Sequence, residues 1–127
     1  GEHLQLGSKA AGDWLRALGF GDPEGALRHL GALTAGVARA AAMQKVLLPV
    51  LLQTFADCPN PDAGLLAYRR VSEALGGDQW FLRLLRDEGE VPERLAQLLG
   101  SSQYVAALLT RTPEALRILA GDRELEP

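Results

Sequence analysis

Apolar residues return every third or fourth position along most of this 127-residue chain, and β-branched residues nowhere alternate with polar ones. The first spacing lines one face of an α-helix, whereas the second would mark a half-buried strand. The stretch 61–75 is the plainest case: Gly64, Tyr68, Val71 and Leu75 share one stripe, with Arg69, Arg70 and Glu73 on the other side. Leu, Ala and Arg are abundant, and all three are good helix formers. Proline marks the starts. Asp22-Pro23-Glu24, Asn60-Pro61-Asp62 and Thr112-Pro113-Glu114 each set a capping side chain before Pro at the first helical position, with an acid in the first turn. The cap oxygen accepts an orphan backbone N–H, Pro has no N–H to leave unpaired, and the acid opposes the positive end of the helix dipole. Val91-Pro92-Glu93 is a weaker form of the same signal.

These marks predict helices over about 8–18, 23–33, 36–57, 61–75, 79–88, 92–99, 102–110 and 113–120. Gly19, Gly76 with Gly77, Gly89, Gly100 and Gly121 fall where left-handed helix ends are expected. Pro49 removes one backbone hydrogen bond from the third helix, which should kink or break near residues 45–48. The stretch 79–88 holds Trp80, Phe81, Leu82, Leu84 and Leu85, apolar around more than half the circumference. Such a helix is expected at the centre of a bundle, with the Gly76-Gly77-Asp78 joint as the organising point. Connections are short, so successive helices should be neighbours. The predicted fold is all-α, a compact multi-helix bundle of about seven to eight helices. Residues 1–9 read as a tail or linker, 10–120 as the helical domain and 121–127 as a C-terminal tail.

Composition narrows the function. Hydrophobic residues make up 47% of the chain, enough for a proper core. Thirteen Lys and Arg against sixteen Asp and Glu leave a net charge of −3. A weakly acidic chain with scattered charges lacks the basic patch of nucleic-acid binding and the polybasic run of membrane-surface binding. The longest apolar run, Val46–Leu52, is seven residues and contains Pro49, against the roughly 20 a membrane span needs. No signal-peptide pattern is present, and Cys58 is alone, which points to a reducing cytoplasm.

Candidate chemistry is sparse. One Cys and two His, His3 and His29, lie far apart without metal-ligand spacing. Cys58 has no His or basic neighbour in sequence to lower its pKa, so it reads as inert. Asp87, Glu88 and Glu90 cluster, but beside Arg86 and a Gly they read as a solvated helix end rather than a tuned acid–base pair. Gly7-Ser8 is a fragment of a phosphate loop without the rest of its motif. Trp14, Trp80, Phe81 and Tyr104 sit at helical core positions, not interleaved with basic residues as stacking platforms would be. No catalytic, cofactor-binding or metal residue emerges from the pattern.

The succession "RALGFGDPEGALRHLGALT" (16–34), "LLPVLL" (47–52), "NPDAGLLAYRRVSEALG" (60–76), "RLLRDEG" (83–89), "ERLAQLLGSSQYVAALL" (93–109) and "RTPEALRIL" (111–119) resembles glutamine synthetase adenylyltransferase, in particular its high-GC Gram-positive (actinobacterial) branch. The resemblance runs in order from about Ala10 to Leu119; "GEHLQL" at the start fits poorly. It implies a long parent enzyme with two nucleotidyltransferase halves. One half uses ATP and Mg²⁺ to place AMP on a tyrosine of glutamine synthetase, and the other removes it by phosphorolysis. The family's catalytic signature, a Gly-Ser followed by a strand carrying Asp-x-Asp, is missing here, because Gly7-Ser8 leads into Lys9-Ala10-Ala11 and a helix. No catalytic residue carries over.

The resemblance therefore implies a non-catalytic helical connecting and regulatory segment between the halves. Its partners would be the flanking nucleotidyltransferase domains, glutamine synthetase and a PII-type signal protein. Arg69, Arg70, Arg83 and Arg86 form the cationic rim expected to serve as an interaction surface, set against the plainer reading of solvated ion pairs. Two alternatives are a free-standing helical adaptor that binds a partner helix, and a small-molecule sensor with a pocket near the Trp80 helix.

Overall fold

In the computed structural model, residues 2–35, 39–87 and 90–118 are described, with side chains other than those of residues 2–8 and 87. Their secondary structure is helical throughout: α1 (Glu2–Leu18), α2 (Pro23–Thr34), α3 (Arg39–Ala56), α4 (Pro61–Leu75), α5 (Gln79–Asp87), α6 (Val91–Ser101) and α7 (Gln103–Arg111). A further helical stretch begins at residue 115. No strand occurs among the described residues. Gly121, Glu88 and Gly89, and the predicted C-terminal tail, lie outside them.

The proline marks hold at two starts. Asp22 accepts the Gly25 N–H at 3.0 Å, and Asn60 accepts the Ala63 N–H at 3.1 Å. Ser102 caps α7 by accepting the Val105 N–H at 3.1 Å. At Thr112-Pro113-Glu114 the chain instead opens with tight turns, in which Ala115, Leu116 and Arg117 donate to carbonyls three residues back. The first helix starts at Glu2, ahead of the predicted residue 8. Nothing from Glu2 to Gly7 breaks a helix already nucleated downstream, and propagation adds one bond for each residue fixed.

Pro49 does not break α3, which is helical through to Ala56. The carbonyl that loses its partner belongs to Lys45, and both residues are exposed, so the missing bond lies on the side open to water. Of the glycines expected at left-handed ends, only Gly19 has a positive φ, 111°, among the described residues. There the Phe20 N–H reaches the Leu15 carbonyl and the Gly19 N–H the Arg16 carbonyl, a Schellman end that drops Phe20 into the core. Gly76 is right-handed, with φ −61°, and Gly100 lies inside α6.

The central helix is α4, not α5. Eight of its residues are buried: Pro61, Gly64, Leu65, Ala67, Tyr68, Val71, Ser72 and Leu75. It packs against α2, α3, α6 and α7. In contrast, the main neighbours of α5 are α6 and α3, and α4 is not one of them, so the joint at Gly76-Gly77 is no tight hairpin. Phe81, Leu84 and Leu85 form the inward stripe of α5, while Trp80 is only half-buried and Leu82 packs partly. Trp14 and Tyr104 also lie outside the core, each one position off a buried stripe carrying Leu15 or Leu109. These helices bury one face only.

Glycine sets the closest contact in the bundle. A Cβ on Gly64 would stand 2.8 Å from the Gly100 Cα and 2.8 Å from the Phe55 ring, and one on Gly100 would stand 2.6 Å from the Cys58 Sγ. The first obstacle is backbone, which cannot swing aside. Gly64→Ala and Gly100→Ala are therefore each expected to cost about 1–3 kcal/mol through overpacking. Gly31→Ala, which meets nothing within 4 Å on exposed α2, should be neutral or gain about 0.5–1 kcal/mol. Urea unfolding of the three variants separates these outcomes, and similar midpoints would remove the claim of a close crossing. In the same assay Phe81→Ala should cost about 3–5 kcal/mol as a core truncation, and Trp80→Ala distinctly less.

Candidate functional site

The structure divides the predicted cationic rim between two places. Arg69, on α4, pairs with Glu73 one turn on, Nε to Oε2 at 3.2 Å, and its Nη1 lies 3.1 Å from the His29 Nδ1 on α2. A guanidinium only donates, so Nδ1 accepts and the imidazole proton is assigned to Nε2. Arg70, exposed on the same helix, adds its charge to the field around His29. Arg83 and Arg86 stand apart from this group. Both are exposed on α5 and line a cleft of about 150 Å³ with Gln79, Leu82 and, from α3, Arg39 and Met43. The sequence places the four arginines within eighteen residues, but the α4–α5 pair does not close on itself, so they face different helices.

His29 sits in a second cleft of about 230 Å³, between α2 and the start of α4. Most polar groups there already serve the backbone. Asp22 and Asn60 cap their helices, and the Asp62 carboxylate accepts the Gly21 N–H at 2.6 Å and the Asp22 N–H at 3.1 Å. Asp62 thus clips the α1–α2 turn to the head of α4. Partial burial, then the Arg69 and Arg28 charges, hold the His29 pKa below its ordinary 6.5.

A buried polar trio joins α3 to α4. The Tyr68 hydroxyl donates to the Gln44 carboxamide oxygen at 2.6 Å, and the Gln44 Nε2 donates to the Ser72 Oγ at 3.4 Å. Burial pushes the Tyr68 phenol up to about 12, so it stays protonated and works as a donor. Sequence reasoning passed over Gln44 and Ser72. The signal was there: Gln44 falls on the inward stripe of Ala41, Leu48, Leu51, Leu52 and Phe55. A polar residue on an apolar stripe calls for a buried partner.

The remaining candidates do not assemble. Cys58 is half-buried, with its Sγ 3.3 Å from the Thr54 carbonyl and 3.7 Å from the Ser101 Oγ, packed at Gly100. Glu90 is exposed, 3.8 Å from Arg94, and Glu88 lies outside the described residues. Among the described residues no three His, Cys, Asp or Glu side chains come together as a metal site would need. No helix there is long and apolar enough to cross a membrane.

No protein-family model matches the chain, and no solved structure matches it. Curated relatives do. A bifunctional glutamine synthetase adenylyltransferase/adenylyl-removing enzyme of Streptomyces avermitilis is 53% identical over 127 residues, covering 97% of this chain and 13% of the relative. The proteins of the same description from Nocardia farcinica and Leifsonia xyli are 55% and 51% identical, covering 92% and 96% of this chain and 12% of each relative. The chain is thus similar, over nearly all its length, to a stretch about one-eighth as long as these relatives.

The His29–Arg69 contact sets a pH dependence. Because the folded pKa lies below the unfolded 6.5, the unfolded chain takes the proton first. The contribution of His29 to stability is intact above about 6.5 and is lost as pH falls through the lower, folded value. An NMR titration should place the His29 midpoint below 6.5, and Arg69→Gln should raise it part of the way back. A midpoint unmoved by that substitution would mean the guanidinium is not felt by the ring.

Proposed function

We infer that this chain is a segment of a bifunctional glutamine synthetase adenylyltransferase/adenylyl-removing enzyme, and that it connects and regulates that enzyme's two nucleotidyltransferase halves. The observation that carries this reading is identity of 53% along 97% of the chain against 13% of a relative's length. A bundle with its own core makes a stiff spacer. Such a spacer holds two active sites at a set separation, and an effector acts by preferring one arrangement of the halves.

The residues fit a supporting part better than a reacting one. The chain has no Asp-x-Asp to hold Mg²⁺ at nucleotide phosphates, so ATP and Mg²⁺ are handled by the parts of the enzyme beyond this stretch. Glutamine synthetase is the substrate of the whole enzyme, and a PII-type protein is its signal partner. Arg69 with Arg70, and Arg83 with Arg86, supply two cationic contact points on different faces of the segment, in place of one continuous rim. The cleft beside α5, about 150 Å³, is smaller than the roughly 300–1,000 Å³ of small-molecule pockets. That favours a connector over a metabolite sensor.

The test is a swap in the full-length enzyme, with the stretch matching residues 10–120 replaced by a flexible linker of equal length. AMP addition and AMP removal, assayed separately, should both persist, while effectors should no longer shift the balance between them. Intact effector control in the swapped enzyme would defeat the regulatory reading. Transfer of AMP to glutamine synthetase by the purified 127-residue chain with ATP and Mg²⁺ would defeat the non-catalytic one.

A further inference from the structure

Three arginines line one cleft where α3 meets α5. Arg83 and Arg86 lie three apart on α5, and Arg39 reaches the same cleft from the first turn of α3. All three are exposed, in a chain whose net charge is −3. Neither Arg39 nor Arg83 has a hydrogen-bond or ion-pair partner among the described residues. Arg39 is also poorly placed for its own helix, since the first turn is the positive end of the dipole, and α3 has no acid there to offset it. Arg39 and Arg83 thus bring like charge to one cleft with no counter-charge of their own among the described residues.

The chemistry of the lining indicates what would supply that counter-charge. Planar guanidinium forks match the oxygens of a carboxylate or a phosphate, and charge-assisted bonds to them are the strong class. Gln79 adds an amide donor, while Met43 and Leu82, packed partly against the core, offer hydrocarbon contact. The cleft is small, about 150 Å³, enough to seat one anionic group.

We propose that the α3–α5 cleft is an anion-recognition site in which Arg39, Arg83 and Arg86 together hold a single carboxylate or phosphate group. The site goes beyond the connecting role and does not depend on it, because it is a property of this chain alone. An anion held there bridges α3 and α5.

The probes are sodium succinate and inorganic phosphate, titrated into the 127-residue chain, with sodium chloride at matched ionic strength as reference. Arginine Nε–Hε signals are followed by NMR. Saturable shifts at Arg39, Arg83 and Arg86 are expected with one or both probes, and tighter saturation by succinate or by phosphate identifies the group preferred. Arg39→Gln and Arg83→Gln should each weaken binding about tenfold, the size of one lost charge-assisted contact, whereas exposed Arg111→Gln should not. Melting temperature gives a second reading: it should rise with the effective probe in the parent chain and not in the Arg39→Gln, Arg83→Gln double variant. Shifts reproduced by chloride, shifts without saturation, or binding indifferent to both substitutions would each overturn the proposal.

Discussion

Where α4 crosses α6, Gly64 and Gly100 let two backbones approach more closely than any side chain would permit, and the placement of the neighbouring helices follows from that crossing. With no Cβ on either helix, the space beside them is filled from α3 and the turn after it, by the Phe55 ring and the Cys58 thiol. Phe55 in turn meets the edge of Tyr68, ring centroids 6.2 Å apart. One small-residue contact thereby fixes three helices. It also explains why α4, with a modest number of large apolar residues, is the most enclosed helix: it is surrounded because it can be approached.

Directional polar contacts then fix what packing alone would leave free to slide. Hydrophobic burial is strong but non-directional, so a helix can slip by a turn at little loss. The Tyr68–Gln44–Ser72 set prevents this between α3 and α4, since a shift would strand buried donors and acceptors at about 1–3 kcal/mol each. At the other end of α4, Asp62 holds the α1–α2 turn by two backbone N–H groups. The central helix is therefore locked in register at its head and along its length.

The parts of this architecture that were legible in sequence are those governed by local chemistry. Asp22 and Asn60 before Pro give helix starts whatever lies elsewhere, and the stripe of Gly64, Tyr68, Val71 and Leu75 faces the core as its spacing requires. The misjudged parts depend on neighbours. A run such as Trp80, Phe81, Leu82, Leu84 and Leu85 states how much apolar surface exists, not how many helices come to cover it; α6 and α3 are its main neighbours, where α4 has four. Gly100 resembles a helix terminator in sequence, yet acts through the helix lying across it. The arginine rim is split in two for the same reason. Arg69 and Arg83 are fourteen residues apart in the chain, but an open joint turned them toward α2 and α3, and Arg39, far away in sequence, became the third member of a cluster.

The contrast between α4 and α5 shows how unevenly the bundle holds its helices. A helix enclosed by four others and pinned by buried hydrogen bonds moves only with the whole bundle. A nine-residue helix resting mainly on α6 and α3 has far fewer contacts holding it, and local opening free energies follow such contact density. Charge accumulates at this lightly held element, on the side where it meets α3. Phe81, Leu84 and Leu85 supply the apolar contacts that seat it. An enclosed helix and a lightly held one therefore differ in what opens first, and α5 is the element expected to yield before α4.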